Sequence, residues 1–279
     1  MAEDNGKPYT ILQGDCREVL PTLEAGSVDL IATDPPYGAG KGFAGDRNVQ
    51  EAFALVTGLL PEFVRLLKPG GCLYLCCDYR LYARLELAVR EVLDWQDTII
   101  WAYRWTRFNP QTWVRSYQQI LFASKGRPAY WGAPRVLSAD STRALWPPDT
   151  KLKPTPIRPG SGETVGRRSK DTETAPARNW WDDLPIVDGS FCHRNEPRQH
   201  PTQKPEKLMQ RIVGASCPPG GLVLDPFLGS GTTLVAALRE GRQSVGIELD
   251  PGYCEIAEAR CRAELANRTE RLPLEVTAP

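Results

Sequence analysis

The chain has 279 residues, 41% hydrophobic and 24% charged; that is the composition of a globular protein, long enough to bury a core without disulfide or metal staples. No apolar run approaches the roughly 18 residues of a membrane span, and Met1–Lys7 lacks the basic-then-apolar pattern of an export signal, so the expected compartment is the cytoplasm. Net charge is zero, yet residues 101–204 hold 17 Lys and Arg against 9 Asp and Glu: a basic middle (+8) on an acidic body (−8), which points to a polyanionic partner.

In chain order, Tyr9–Gln13 reads as a strand and Cys16–Leu23 as a helix, despite Pro21. Ser27–Thr33 is an apolar strand that runs into Asp34-Pro35-Pro36-Tyr37. Asn48–Leu67 is helical, and Lys68-Pro69-Gly70-Gly71 is expected to stop it. Cys72–Cys77 is a buried strand, Tyr79–Leu93 a helix, and Asp97–Tyr103 and Gln118–Ala123 two more strands. Periodicity is then lost: residues 126–205 hold 12 of the 25 prolines, and 101–204 hold seven of the eight tryptophans. A disordered linker is poor in tryptophan, so this segment reads as a binding surface. Alternation resumes with a helix over Pro205–Ala215, a strand over Gly221–Leu224, a helix over Thr232–Glu240, a strand over Gln243–Ile247 and a helix over Tyr253–Ala266. Strands alternating with helices predict an α/β fold, doubly wound, with a mostly parallel sheet. The expected organisation is a catalytic half over 1–103, the basic segment over 104–199, a cofactor half over 200–267 and a tail over 268–279.

Eight cysteines form no C-x-x-C pair, and Cys192, His193 and His200 alone do not make a ligand set. Buried free thiols and no metal are expected.

Two corners carry the chemistry. Gly229-Ser230-Gly231 follows a strand and opens a helix, where bare backbone lets a ligand lie against the partly positive helix end. Glu248 ends the next strand, 23 residues after Asp225, where a nucleotide-binding sheet places the carboxylate that accepts from ribose hydroxyls. The third glycine of the dinucleotide fingerprint and the Lys of a Walker loop are both missing, so the corner is not built for a pyrophosphate. With Asp225 at its mouth it suits a cationic adenosyl ligand, S-adenosylmethionine; a tight strand–helix turn with a capping Asp is the competing reading.

The second corner is Asp34-Pro35-Pro36-Tyr37. Two prolines stiffen it and leave carbonyls free. A nucleobase exocyclic amine is a poor nucleophile because its lone pair is conjugated into the ring. Two rigid acceptors against its N–H groups, the Asp34 carboxylate and the Pro35 carbonyl, favour the tetrahedral nitrogen that attacks a methyl group. Tyr37 offers a face on which a base can stack. A rigid turn with Asp34 bonded to backbone is the structural alternative.

Taken together, these motifs resemble the β class of DNA amino-methyltransferases, N6-adenine or N4-cytosine specific. That class orders D-P-P-Y first, target recognition next and F-x-G-x-G last, as Asp34–Tyr37, the basic segment and Phe227-Leu228-Gly229-Ser230-Gly231 do here. The resemblance covers most of the chain outside 126–199. It implies that Asp34, Pro35, Pro36 and Tyr37 form the catalytic pocket. It implies a cofactor loop of Asp225, Phe227, Gly229, Ser230, Gly231 and Thr232, with Glu248 at the ribose, Asp15 near the adenine, and Cys16 and Leu249 also on the cofactor. His200-Pro201-Thr202-Gln203-Lys204-Pro205 resembles the family segment whose Thr202 and Lys204 hold the cofactor carboxylate, with His200 on the cofactor side and Asp34 reaching it from the pocket. Asp rather than Ser before Pro-Pro tilts the family reading toward adenine over cytosine.

A base inside a duplex must be flipped out to reach such a pocket. Arg104, Arg107 and Arg115, interleaved with Trp105, Phe108 and Trp113, and the run Arg167-Arg168-Ser169-Lys170 are the candidates to contact DNA; a solvated basic loop is the other reading of each. Trp180-Trp181 is expected to serve packing rather than base stacking. Duplex DNA is the expected partner, and a symmetric site would favour a homodimer. The alternatives are an RNA or protein-glutamine methyltransferase, against which motif order and Asp34 both count, and a non-catalytic nucleic-acid-binding protein.

Overall fold

A computed structural model of the chain describes residues 7–38, 48–102, 113, 116–137, 174–176, 179–182, 184 and 203–271. Its contacts divide the chain into two compact units, Met1–Gly132 with Asn179–Pro279, and Ala133–Arg178. In the smaller unit β6 (Arg135–Leu137) pairs antiparallel with β7 (Thr174–Pro176).

The larger unit is built on one eight-stranded sheet. Its strands are β1 (Tyr9–Gln13), β2 (Val28–Thr33), β3 (Leu67–Cys77), β4 (Asp94–Ala102), β5 (Tyr117–Ser124), β8 (Trp180–Trp181), β9 (Leu222–Asp225) and β10 (Gln243–Glu248). They lie in the order β1-β10-β9-β2-β3-β5-β4-β8. All run the same way except β5, which is antiparallel to both of its neighbours. The helices are α1 (Cys16–Val19), α2 (Val49–Leu66), α3 (Tyr79–Arg90), α4 (Glu206–Ser216), α5 (Thr232–Arg239) and α6 (Pro251–Arg271).

Side chains alternate along each strand, and the core splits accordingly. Leu73, Leu75 and Cys77 of β3 join Ala52, Val56, Phe63 and Leu66 of α2 and Leu81 and Leu85 of α3 on one face. Cys72, Tyr74 and Cys76 join Leu208, Met209 and Ile212 of α4 and Ala236 and Ala237 of α5 on the other. That two-sided covering is the doubly wound arrangement. A third cluster joins Leu228, Leu234 and Val235 to Ala257 and Cys261 of α6. The buried positions of α2 recur at helical spacing, and Asn48 caps it by accepting from the Glu51 amide at 2.9 Å.

Several local expectations are corrected. The first helix stops at Val19 and tightens into a 3₁₀ turn over Leu20–Thr22, because Pro21 has no N–H to continue the α-helical ladder. Lys68-Pro69-Gly70-Gly71 is not a free turn. It is the irregular start of β3, which begins directly after α2; Gly70 takes φ 78°, and its amide donates to Lys125 O at 2.6 Å. The helix expected to reach Leu93 ends at Arg90, and the last helix runs to Arg271. Trp180-Trp181 pairs with Ile100 and Trp101 as the edge strand; Trp181 is buried and Trp180 half-exposed. The cysteines among the described residues are free thiols. Among those residues no three His, Cys, Asp or Glu gather as a metal set, and no helix is long and apolar enough to cross a membrane.

Candidate active site

Sheet order brings the two corners together. β2 and β9 are hydrogen-bonded neighbours, Leu30 opposite Val223 and Ile31 opposite Leu224, although nearly 200 residues separate them. Asp34 follows the end of β2, Asp225 ends β9 and Glu248 ends β10, while Gln13, the last residue of β1, lies level with Glu248 and leads to Asp15. Four adjacent strands therefore deliver a carboxylate each to one edge of the sheet, its carboxyl edge, where parallel α/β sheets bind ligands.

Directly after β2, Asp34 is mostly buried. Its Oδ1 accepts from the Tyr37 hydroxyl and its Oδ2 from the Lys204 ammonium; the Lys204 side chain is only 7% exposed. Lys204 also stands over the Tyr37 ring, 5.6 Å from its centroid. Gln118 of β5 donates to the Tyr37 hydroxyl at 2.6 Å, and Arg80, at the start of α3, reaches the Tyr37 carbonyl at 3.5 Å. The corner continues into Gly38 at φ 70°, where a Cβ would overlap the backbone of Asn48. Only glycine lets the chain leave Tyr37 so close to the start of α2.

The glycine corner is tied from within. Asp225 accepts from Thr33 at 2.7 Å, Thr233 at 2.6 Å and the Phe227 amide at 3.1 Å. Burial pushes its carboxyl up to about 6, although those three donors favour the charged form. The bond from Thr33 directly links the strand of Asp34 to the glycine corner. Glu248 accepts from the Gly229 amide at 2.7 Å and the Asp250 amide at 2.9 Å. The Leu228 and Gly231 amides go to the carbonyls of Ile247 and Leu228. The amides of Phe227, Leu228, Gly229 and Gly231 are thus taken up within the corner itself. Gly231 takes φ 85°, and a Cβ there would stand 2.8 Å from the Ala257 Cβ. Ser230 and Thr232 are buried, Phe227 is partly buried, and Leu249 is half-exposed beside Glu248.

At the β1 end, Asp15 caps α1 by accepting from the Arg17 amide at 2.9 Å, and also from Arg17 Nε at 3.0 Å. Arg17 holds the carboxyl below its usual range. Cys16 is buried, and burial pushes its thiol up to about 12. The Gly14 amide donates to Glu248 O at 2.9 Å, joining this turn to the ribose candidate.

The structure therefore gathers Asp15, Cys16, Asp34, Tyr37, Lys204, Asp225, Phe227, Gly229, Gly231, Glu248 and Leu249 at one edge. The resemblance assigned Lys204 to a cofactor carboxylate; in the structure its partner is Asp34. Gln118, Arg80, Gly38, Thr33 and Thr233 escaped the sequence reading. Only Gln118, in the polar Gln118-Gln119 pair that precedes the apolar part of its strand, left a signal. His200, Thr202, Arg104, Arg107, Arg115, Arg167, Arg168 and Lys170 lie outside the described residues, as do Cys192 and His193.

A family profile described as DNA methylase matches residues 28–259, most of the chain and both corners. The chain belongs to the DNA methylase family. This methylase is 32% identical over 259 residues to DNA adenine methyltransferase YhdJ of Escherichia coli K12, covering 90% of this chain and 82% of that one. TTHA0409 of Thermus thermophilus, solved complexed with S-adenosyl-L-methionine, aligns with a TM-score of 0.58 at 24% identity over 91% of this chain and 95% of that one. PvuII DNA methyltransferase, cytosine-N4-specific, aligns with a TM-score of 0.61 at 17% identity over 90% and 86%. The methylase thus shares its fold with a cytosine-N4-specific enzyme and is related in sequence to an adenine methyltransferase.

Proposed function

We propose that this methylase transfers a methyl group from S-adenosylmethionine to the N6 amine of adenine in duplex DNA, leaving S-adenosylhomocysteine. The observation that carries the proposal is the single acid-lined edge on which the Asp34 corner and the glycine corner meet. The residues present fit the cofactor. Glu248 is held by two amides yet retains lone pairs for ribose hydroxyls. Leu249 offers exposed apolar surface to an adenine ring. Asp225 and Glu248, which accept from hydroxyls and amides, favour a cation over a phosphate, while Asp15 and Asp34 already pair with Arg17 and Lys204. When bound, the cofactor supplies an electrophilic methyl on a sulfonium.

The protein's part is to bind and orient the amine. Asp34 and the Pro35 carbonyl accept its two N–H groups, and Pro36 keeps the corner stiff. As the nitrogen gains its bond it becomes cationic, the Asp34 carboxylate stabilises that charge, and the nitrogen then sheds one of its two protons to solvent to leave the neutral methylamine. Tyr37, anchored by Gln118, presents the stacking face. Adenine is favoured over cytosine by Asp34 before Pro-Pro and by the relationship to an adenine methyltransferase.

Trp113, almost fully exposed, and the cations Arg104, Arg107, Arg115, Arg167, Arg168 and Lys170 are assigned to DNA, with His200 and Thr202 beside the cofactor. The 104–199 segment is the target-recognition region of this proposal. With DNA as substrate the compartment is the cytoplasm, and a symmetric target would bring two copies together.

Substituting Asp34→Ala tests the assignment. Binding of labelled cofactor should stay within a few-fold of wild type while methyl transfer to DNA disappears. Wild-type turnover by the variant would sink the assignment.

A further inference from the structure

We infer that Arg260, on the last helix, is the positioning residue that shapes the cofactor loop and locks it to the segment bearing Lys204. The inference rests on the proposed cofactor reading and adds a residue to it. One guanidinium nitrogen of Arg260, Nη1, donates to the Ser230 carbonyl at 2.7 Å, the Ser230 hydroxyl at 3.0 Å and the Thr232 hydroxyl at 3.2 Å. The other, Nη2, reaches Glu206 Oε1 at 2.7 Å, and the side chain is only 11% exposed. Glu206 is the first residue of α4, directly after Pro205 and two residues after Lys204. Ser230 also approaches Gln203 Oε1 at 3.4 Å.

Three features make this more than a surface ion pair. Ala257, one helical turn before Arg260, is the residue that Gly231 packs against, so one face of α6 sets both the close approach and the polar anchor of the loop. The cation also sits at the N-terminus of α5, where the helix dipole opposes it. Glu206 offsets that, and Glu206 is in turn bridged by Arg239, which reaches Glu264 at 2.9 Å. Finally, only a planar fork can bond two loop residues and a carboxylate on another helix at once; an ammonium is a single point.

The test is calorimetric binding of S-adenosylmethionine to full-length Arg260→Met, Arg260→Lys and Glu206→Gln proteins, with steady-state methylation of genomic DNA alongside. Arg260→Met should weaken cofactor binding and raise its KM by about tenfold or more, the loss of an anchored charged hydrogen bond. Turnover at saturating cofactor should fall by a smaller factor than affinity, because Asp34 keeps its own bonds to Tyr37 and Lys204 while the loop loses its anchor. Arg260→Lys, which keeps the charge, should rescue only part, and Glu206→Gln should fall between wild type and Arg260→Met. Equal cofactor affinity in wild type and Arg260→Lys would overturn the inference, as would a loss of turnover without loss of affinity. If Arg260→Met does not fold, the Lys and Glu206→Gln proteins decide by the same affinities. Wild-type protein that fails to bind S-adenosylmethionine would instead overturn the cofactor reading itself.

Discussion

Gln118, Tyr37, Asp34 and Lys204 form one continuous polar chain across three separate parts of the sequence. Removing the Tyr37 hydroxyl keeps the ring for stacking but releases Asp34 Oδ1 and Gln118 from their common partner. Tyr37→Phe should therefore lower turnover by roughly tenfold with cofactor affinity unchanged, a positioning loss rather than a binding loss. Gln118→Leu should do the same more weakly, because it acts one bond further away; equal kcat in both variants and wild type, measured at saturating DNA, would contradict this ordering. Asp225 behaves differently. Its pKa in the folded protein is raised to about 6 from an ordinary 3.8, so the folded state binds its proton more tightly than the unfolded one. The stability linked to that proton is complete below about pH 4 and is lost as pH rises through 6, on the order of 3 kcal/mol. Relative to Asp225→Asn, which cannot titrate, wild type should lose melting temperature between pH 4 and 7. A wild-type advantage that grows with pH would reverse the sign and contradict the buried, proton-holding carboxyl.

At the level of elements, the glycine corner depends on one backbone conformation and one gap. Gly231→Ala would force a Cβ into the left-handed region and into Ala257, and should cost about 1–3 kcal/mol. Adding Ala257→Gly should recover the packing part but not the conformational part; full recovery in thermal melts would show that the contact alone matters. Much of this was legible beforehand. Strands β2 and β9 are short, largely apolar runs that lead to an aspartate, β1 and β10 carry apolar residues ahead of a polar end, and the chemistry sits where each run ends. Helix α2 was legible because its cap and its apolar spacing agree. The bulged start of β3 was not, because Pro69-Gly70-Gly71 carries the signature of a turn, and only pairing of Gly70 and Gly71 with Lys125 makes it strand. The antiparallel sense of β5 was likewise hidden, since a strand's direction is set by its neighbours and not by its own residues. Lys204 on Asp34, Gln118 on Tyr37 and Arg260 on Ser230 are contacts across 170, 81 and 30 residues, which no local pattern encodes.

Across the whole chain, charge separates into a basic middle and an acidic body. If the basic segment neutralises phosphates, affinity for duplex DNA must fall steeply with salt as the entropic gain from releasing counterions shrinks. A titration from about 50 to 200 mM salt should lower affinity by orders of magnitude; a flat response would remove the segment from the interface. The central claim is that two remote chain corners converge to methylate adenine. Its most direct measurement is incubation of the protein with S-adenosylmethionine and unmethylated genomic DNA, digestion to nucleosides and mass spectrometry. N6-methyladenine from wild type and none from Asp34→Ala is the expected result, whereas N4-methylcytosine, or no modified nucleoside at all, would contradict it.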